Sequence, residues 1–242
     1  MNSIIENNII LSTLILLLGI NLFGFLYSYL IIKTNFFKKF KIQKRPHKIA
    51  NFYQRMPLIC FNLAILIAVT GFGLYLFSDS IYYLSDNFLK DLGVIIFEIF
   101  IILMIDDIYF YLWHRLMHEN KFLYHKVHKI HHRASTPFPS EYLYTHPIEW
   151  MVGMIGPFIA IFLLGGVCVY SLWIVLFIRN LHELDIHSGL KSSYLTKYFP
   201  FSGTNEHHDK HHALLKGNYA SAFSFWDKMF KTSIDNNPKF YN

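Results

Sequence analysis

The sequence has few charged residues and only two cysteines, and both deficits narrow the kind of protein that it encodes. Charged residues make up 16% of the 242 positions, against roughly 25% in typical soluble proteins. Cys60 and Cys168 both lie in apolar stretches, so we expect neither a disulfide framework nor an iron–sulfur cluster, which needs cysteine thiolates. The composition therefore argues against both a disulfide-rich secreted domain and a soluble fold.

Motifs that would place the chain in several other functional classes are also absent. The sequence contains no H-E-x-x-H pair, which argues against a metalloprotease. His182 and His187 come close to that spacing, but on a regular helix they would point about 140° apart. No interleaving of aromatic and basic residues suggests nucleic-acid binding, and no repeat of the 20–50-residue kind is visible. No haem or flavin motif is present, so redox chemistry would need electrons from outside the chain.

Long apolar stretches of about the length that crosses a bilayer, roughly 20 residues, dominate the rest of the sequence. They comprise residues 9–32, 57–77, 92–113 and 147–178. The last is long enough for two short helices that meet near Gly165 and Gly166. We therefore predict an all-α integral membrane bundle of about four to five spanning or hairpin helices. A soluble bundle is the alternative, but the first two stretches are too long and too free of charge for it.

Basic residues indicate which side of the membrane each loop occupies. The loop 33–55 is rich in lysine and arginine, which places it in the cytoplasm. The first apolar run lacks a basic leader and is too long for a signal peptide, so it is predicted to be an anchor. Alternation of the spans then puts a histidine-rich helical cap on the cytoplasmic side, in a bacterial inner membrane or the endoplasmic reticulum. We expect 1–242 to be a single membrane domain, with an anchor hairpin over 1–91 and a catalytic region over 92–242.

Most of the 14 histidines fall into three short groups. The groups are His114 and His118; His125, His128, His131 and His132; and His207, His208, His211 and His212. Residues three and four apart share a helical face, so each H-x-x-H-H segment, if helical, should aim its three imidazoles the same way. Imidazole is the commonest metal-ligand side chain, and so many rings exceed the four ligands of a structural site. We predict a metal centre with more than one ion, as in two-metal sites.

Asp107 is the acidic residue that the helical register connects with this centre. At about 100° per residue, Asp107, His114 and His118 fall within roughly 20° of one line. Because a lone carboxylate in a span is costly, we expect Asp107 to accept a hydrogen bond from a ligand imidazole or to ligate directly. A pair with Arg115 or a lysine is the alternative. Asp106 lies 100° off that line and has no comparable role.

Four other polar residues carry weaker expectations. Glu98 lies deep in the third stretch and is expected to pair with the hairpin helices. His146, directly before Pro147, is predicted to cap a helix or to support a ligand. His125 and His182 stay open as ligands. Residues 123–132 are predicted to form one helical arm, which ends before the proline-rich segment 135–139.

The ligand type alone does not identify the metal, since imidazole suits zinc, copper, iron and nickel. A cytoplasmic site beside a bilayer suits a lipid substrate and iron-dependent oxygen chemistry on a C–H bond. The alternatives are a non-catalytic metal transporter or metal-binding membrane protein, and a zinc-dependent membrane hydrolase. A transporter should carry ionisable residues at mid-membrane, and only Glu98 lies that deep.

At these motifs the chain resembles the fatty acid hydroxylase superfamily, which includes membrane sterol desaturases and sterol methyl oxidases. The resemblance rests on H-R-L-M-H from His114, H-K-I-H-H from His128, T-H-P-I-E from Thr145, H-S-G from His187, H-H-D-K-H-H from His207, G-N-Y-A-S from Gly217 and F-W-D from Phe225. It runs from Asp107 to about Thr232. The C-terminal part is most similar to the C4-methyl sterol oxidase and cholesterol 25-hydroxylase branch.

The resemblance implies a membrane-bound, non-haem di-iron oxygenase that hydroxylates or desaturates a lipid such as a sterol or fatty acyl chain. It implies O2 as oxidant and an external electron donor of the cytochrome b5 or ferredoxin type. Carried over to this chain, the metal ligands are His114, His118, His128, His131, His132, His187, His207, His208, His211 and His212.

Overall fold

The computed structural model describes residues 8–84, 88–193 and 202–234, and helices dominate them. The helices are α1 (Ile9–Lys33), α2 (Ile49–Leu76), α3 (Phe88–Glu119), α4 (Lys121–Lys126), α5 (Pro147–Gly153), α6 (Gly156–Leu164), α7 (Val169–Ile186), α8 (Asn205–Leu214) and α9 (Phe225–Met229). Short 3-10 helices lie at Phe36–Phe40, Ser78–Ser80, His128–Arg133 and Pro139–Leu143. Two short strands, β1 (Ile81–Tyr82) and β2 (Val167–Cys168), pair in parallel. The predicted all-α class is confirmed.

Three segments are long and apolar enough to cross a membrane, namely Ile9–Lys33, Ile49–Leu76 and Pro147–Leu164. Their outward faces carry large apolar side chains. On α1, for example, Ile15 is 61% and Leu26 is 57% exposed. A broad apolar surface of this kind is costly in water and is the surface that lipid tails cover. The predicted integral membrane bundle is confirmed.

Helix α3 is continuous over 32 residues and carries His114 and His118 near its end. It is not among the three apolar segments, so its prediction as a span stays a prediction. Glu98 on this helix accepts a hydrogen bond from the backbone N–H of Cys168 at 2.9 Å and from the hydroxyl of Tyr82. Cys168 is the N-cap of α7, so the expected pairing of Glu98 with the hairpin is confirmed.

The apolar stretch 147–178 turns back at Gly165 and Gly166, as predicted. Both glycines have positive φ, 71° and 147°, which side chains with a Cβ rarely adopt. Two helices were expected in this stretch, one on each side of the turn. The first expectation was wrong, because the part before the turn is divided into α5 and α6. Pro157 in the first turn of α6 explains the division, since proline is favoured where a helix begins and breaks one that is already under way.

The membrane half of the protein packs around one apolar core. Leu17 of α1, Ile59 of α2, Ile102 of α3 and Leu172 of α7 belong to it, and each is fully or almost fully buried. Burying such a side chain stabilises the fold by about 1.5–3 kcal/mol relative to water. The core therefore fixes the four long helices against one another.

Polar side chains from these helices hold the 3-10 helix Pro139–Leu143 at the edge of the core. Ser28 contacts Ser140 at 2.8 Å, and the Tyr142 hydroxyl donates to Asn21 at 2.6 Å. Asn62 donates to the carbonyl of Leu143 at 2.8 Å. Backbone groups away from water need partners inside the protein, so these bonds fix the chain just before α5.

His146 follows this segment and caps α5, because its Nδ1 accepts the backbone N–H of Ile148 at 3.2 Å. The capping role predicted for it is confirmed. The predicted helical arm over 123–132 was wrong, since α4 ends at Lys126 and His128–Arg133 form a 3-10 helix. His128 is 1% exposed, so this 3-10 helix buries an imidazole beneath the surface.

Candidate metal centre

The structure gathers histidines into two groups, and within each group one nitrogen per ring lies within 4.8 Å of all the others. Only His118 is partly exposed, and the other members are buried. The first group comprises His114, His118, His128, His132 and His211. The second group comprises His131, His187, His208 and His212.

Each H-x-x-H-H segment serves both groups, which differs from the prediction that its three imidazoles point to one place. On α8, His208 and His212 belong to the second group and His211 to the first. Positions i, i+3 and i+4 of a helix span about 100°, a face wide enough to supply two neighbouring points. The two groups adjoin, since the rings of His132 and His212 lie 4.9 Å apart and those of His128 and His131 lie 5.5 Å apart.

The rings of the first group turn their Nε2 atoms toward one another. His118 Nε2 lies 2.8 Å from His128 Nε2 and 3.0 Å from His132 Nε2. His128 Nε2 and His132 Nε2 are 2.9 Å apart. Three ring nitrogens at mutual hydrogen-bond distance have too few hydrogens to satisfy one another when the rings are neutral. A cation between them would resolve the conflict.

Backbone carbonyls fix the tautomer of three rings in the first group. His114 Nδ1 donates to the carbonyl of Tyr219 at 2.7 Å, His211 Nδ1 to Gly217 at 2.7 Å and His118 Nδ1 to Leu215 at 3.1 Å. A carbonyl only accepts, so the hydrogen is on Nδ1 and the neutral ring has a bare Nε2. Among the described residues, the buried Nε2 atoms of His114 and His211 have no hydrogen-bond partner. A metal ion would supply the missing partner.

The second group has the same character with fewer supporting contacts. His208 Nε2 lies 3.0 Å from both His187 Nε2 and His212 Nε2, and His187 Nε2 lies 3.4 Å from His131 Nε2. His187 Nδ1 donates to the carbonyl of Glu183 at 2.9 Å, which leaves its Nε2 bare. This group therefore also presents convergent nitrogens.

Burial keeps these imidazoles uncharged, which is the form that binds metal. Desolvation lowers the pKa of His131 and of His187 to about 3. Burial also holds the pKa of His208 and of His211 well below the ordinary value. Neutral, convergent imidazoles fit metal ions in both groups, and the first group adds two buried Nε2 atoms without a hydrogen-bond partner in the described part of the chain.

Four predicted or open site residues lie outside both groups. His207 Nε2 contacts Asp227 at 2.9 Å instead. His125 is exposed on α4, and His182 on α7 belongs to neither group. Asp107 accepts the backbone N–H groups of Ala222 and Phe223 at 2.8 and 2.9 Å, so the expected bond from a ligand imidazole was wrong. The helical register was correct, but the carboxylate is used by the backbone.

Sequence reasoning missed the groups that orient the ligands. Glu149 Oε1 lies 2.9 Å from His128 Nδ1, and the motif T-H-P-I-E could have pointed to it. The carbonyls of Leu215, Gly217 and Tyr219 leave no such signal, because every residue has a carbonyl. Only the path of the backbone shows where these acceptors lie.

A cavity of about 890 Å³ opens between α3, α7 and residues 221–225. Most of it is apolar, with Ile96, Phe100 and Met104 on its wall. One end is polar, and Glu183 and Ser221 line that end. The backbone carbonyl of Glu183 also accepts a hydrogen bond from His187 Nδ1. The polar end of the cavity is therefore next to the second group.

Comparisons with known proteins agree with this geometry. The family model described as "Fatty acid hydroxylase" matches residues 99–232. Methylsterol monooxygenase 1 of Rattus norvegicus is 32% identical over 222 residues, covering 87% of this chain and 71% of that protein. Methylsterol monooxygenase erg25B of Aspergillus fumigatus is 30% identical over 219 residues, covering 87% and 73%. Very-long-chain aldehyde decarbonylase GL1-11 of Oryza sativa is 30% identical over 226 residues, covering 86% and 79%. No solved structure matches the chain.

Proposed function

Because the chain belongs to the fatty acid hydroxylase family and is a membrane-bound lipid oxidoreductase, we propose that it is a non-haem di-iron oxygenase. Two iron ions, one at each histidine group, would bind in it. The observation that carries the proposal is the presence of two adjoining groups of neutral, buried imidazoles, with a lipid-sized cavity next to the second group. A metal transporter is the alternative. A transporter should carry ionisable residues at mid-membrane, whereas both histidine groups lie outside the apolar helices.

The proposed ligands are the members of the two groups, so the set carried over from the family loses only His207. Bound iron would supply the activation of O2 for oxidation of a C–H bond. In hydroxylation, one oxygen atom enters the C–H bond and the other leaves as water, which consumes two electrons and two protons from outside. Loss of a second hydrogen atom would instead give an alkene. A cytochrome b5 or ferredoxin-type carrier is the proposed electron donor.

The protein itself contributes geometry and exclusion of water. The carbonyls of Leu215, Gly217 and Tyr219 hold three rings with Nε2 directed inward. The apolar wall of the cavity keeps bulk water from the lipid and from competing C–H bonds. We also propose that the histidine groups face the cytoplasm, and that an anchor hairpin over 1–91 precedes a catalytic region over 92–242.

The cavity indicates which part of a lipid is oxidised. Its polar end, with Glu183 and Ser221, is the end next to the second histidine group. A lipid bound with its polar group there would present a carbon near that group, and not one in mid-chain. We propose a lipid alcohol with a large apolar body, and a methylsterol, the substrate in the names of two relatives, is the first candidate to test.

Protein purified without oxygen should contain about two iron ions per chain by elemental analysis. With O2, a chemical reductant and a 4-methylsterol, it should form a hydroxylated product detectable by mass spectrometry. One ion or none in freshly prepared protein would contradict the two-metal proposal. Iron uptake into sealed proteoliposomes without lipid oxidation would favour the transporter.

Filling the cavity should separate lipid binding from metal binding. Met104→Trp replaces a thioether side chain in the cavity wall with a larger indole ring, so we expect kcat/KM to fall about tenfold or more, equivalent to at least about 1.4 kcal/mol. The metal content should not change. Leu112→Trp is the matched control, because Leu112 is on the same helix but 52% exposed and outside the cavity. Equal losses in both variants would show that the cavity is not the lipid site.

A further inference from the structure

Residues 215–220, here called the carbonyl segment, provide three of the ligand-orienting acceptors from alternate positions. Leu215, Gly217 and Tyr219 accept from His118, His211 and His114, all members of the first group. No carbonyl of this segment bonds to a ring of the second group among the described residues. The shape of this one segment therefore controls the tautomer and direction of three first-group ligands.

The backbone of the carbonyl segment adopts a conformation that is not stable without contacts from outside. Leu215, Gly217 and Asn218 have left-handed φ values of 60°, 64° and 51°. For Leu215 and Asn218 this conformation costs energy that surrounding contacts must offset. At Gly217 an added Cβ would lie 2.6 Å from the carbonyl oxygen of Thr232. Contacts outside the segment must hold it in place.

Asp227 of α9 supplies those contacts from a completely buried carboxylate. It accepts the backbone N–H groups of Tyr219 at 2.8 Å and Ala220 at 3.0 Å. It also accepts from the Thr232 hydroxyl at 2.6 Å, and its Oδ2 lies 2.9 Å from His207 Nε2. A carboxylate with several donors is a strong, directional anchor.

His207 ties the same segment to α8. Its Nε2 reaches Asp227, and its backbone carbonyl accepts from Asn218 Nδ2 at 3.1 Å. His208, the next residue along α8, belongs to the second group. His207 therefore lies beside the ligands but faces the carboxylate that anchors the segment.

We propose that Asp227 and His207 are positioning residues that hold the carbonyl segment, and that they thereby set the metal affinity of the first group alone. The proposal rests on the proposed function, since it requires metal in both groups. It removes His207 from the ligand set and gives the motif F-W-D a role in orienting imidazoles.

The test is metal affinity, measured by titrating metal-free protein in detergent with Fe²⁺ under anaerobic conditions or with Co²⁺, whose visible bands report its coordination. Loss of support behind metal ligands typically lowers affinity by about 10–100-fold. We expect Asp227→Asn to weaken one of two sites by that factor and to leave the other unchanged. Asp209→Asn is the matched control, because Asp209 is 2% exposed on α8 and bonds to Gln43, not to the carbonyl segment.

Double variants identify which site is weakened. In a His211→Ala background, where the first group is already lost, Asp227→Asn should have no further effect. In a His131→Ala background it should weaken the one remaining site. Equal weakening of both sites by Asp227→Asn, or an equal effect of Asp209→Asn, would overturn the proposal.

His207 variants test the arrangement with a smaller perturbation, in case Asp227→Asn does not fold. His207→Gln keeps an N–H that can reach Asp227 and should retain both sites, whereas His207→Leu should weaken the first. Loss of one site in His207→Gln, as severe as in His211→Ala, would make His207 a ligand and overturn the proposal. If wild-type protein binds no metal, the proposed function fails instead, and this outcome is distinct.

Discussion

Replacing His211 with alanine should empty the first group of metal and abolish turnover, while the second group keeps its ion. His131→Ala should do the reverse with the same loss of activity. A catalytic metal contributes several kcal/mol to the transition state, and each 1.36 kcal/mol is tenfold in rate, so we expect a fall of about a thousandfold or more. Elemental analysis of each variant, together with product formation from a 4-methylsterol, measures both effects.

Both variants should still insert into the membrane, because neither histidine lies in the three apolar segments. Resistance to alkaline extraction from membranes checks this point. His125→Ala is the control, since His125 is exposed and belongs to neither group. Turnover that persists in either test variant would show that its group is not needed for the chemistry.

Asp106→Asn should destabilise the protein more than Asp107→Asn, although the helical register connects only Asp107 with the histidine groups. Asp106 Oδ2 lies 2.7 Å from Arg179 Nε, and both side chains are largely buried. Breaking a buried ion pair costs about 3–5 kcal/mol, because the remaining charge loses its partner. In Asp107→Asn, one of the two carboxylate oxygens that accept backbone N–H groups is replaced by an NH2 group. The loss of that hydrogen bond costs about 1–3 kcal/mol.

Thermal unfolding of the two variants in the same detergent compares these losses. Arg179→Gln combined with Asp106→Asn should recover part of the stability, because no charge is then left unpaired. The lipid KM should rise in Asp107→Asn, since Ala222 and Phe223, which Asp107 holds, line the cavity. A lower unfolding temperature in Asp107→Asn than in Asp106→Asn would contradict the structural assignment of Asp106.

The long apolar helices and the turn of the hairpin could be predicted, because they follow from hydrophobicity and from local sequence. The apolar stretch at 9–32 reappears as α1, and the glycine pair at 165 and 166 marks the turn of the hairpin. The division of the stretch 147–164 was missed although Pro157 was visible. Hydrophobicity alone does not distinguish one apolar helix from two.

The sequence by itself indicated a membrane protein through its apolar stretches, and a candidate metal centre through its histidine spacing, since so many imidazoles in an apolar chain have few other uses. The assignment of each ring to a group was decided only by tertiary structure. His211 and His212 are neighbours in sequence yet belong to different groups, because a helix turns about 100° between them and the partner rings come from α3, α7 and His128–Arg133. The contacts of Asp107, Asp227 and His207 were also decided there. The two carboxylates accept backbone N–H groups that no side-chain pattern reveals, and His207 contacts a carboxylate that is distant in sequence.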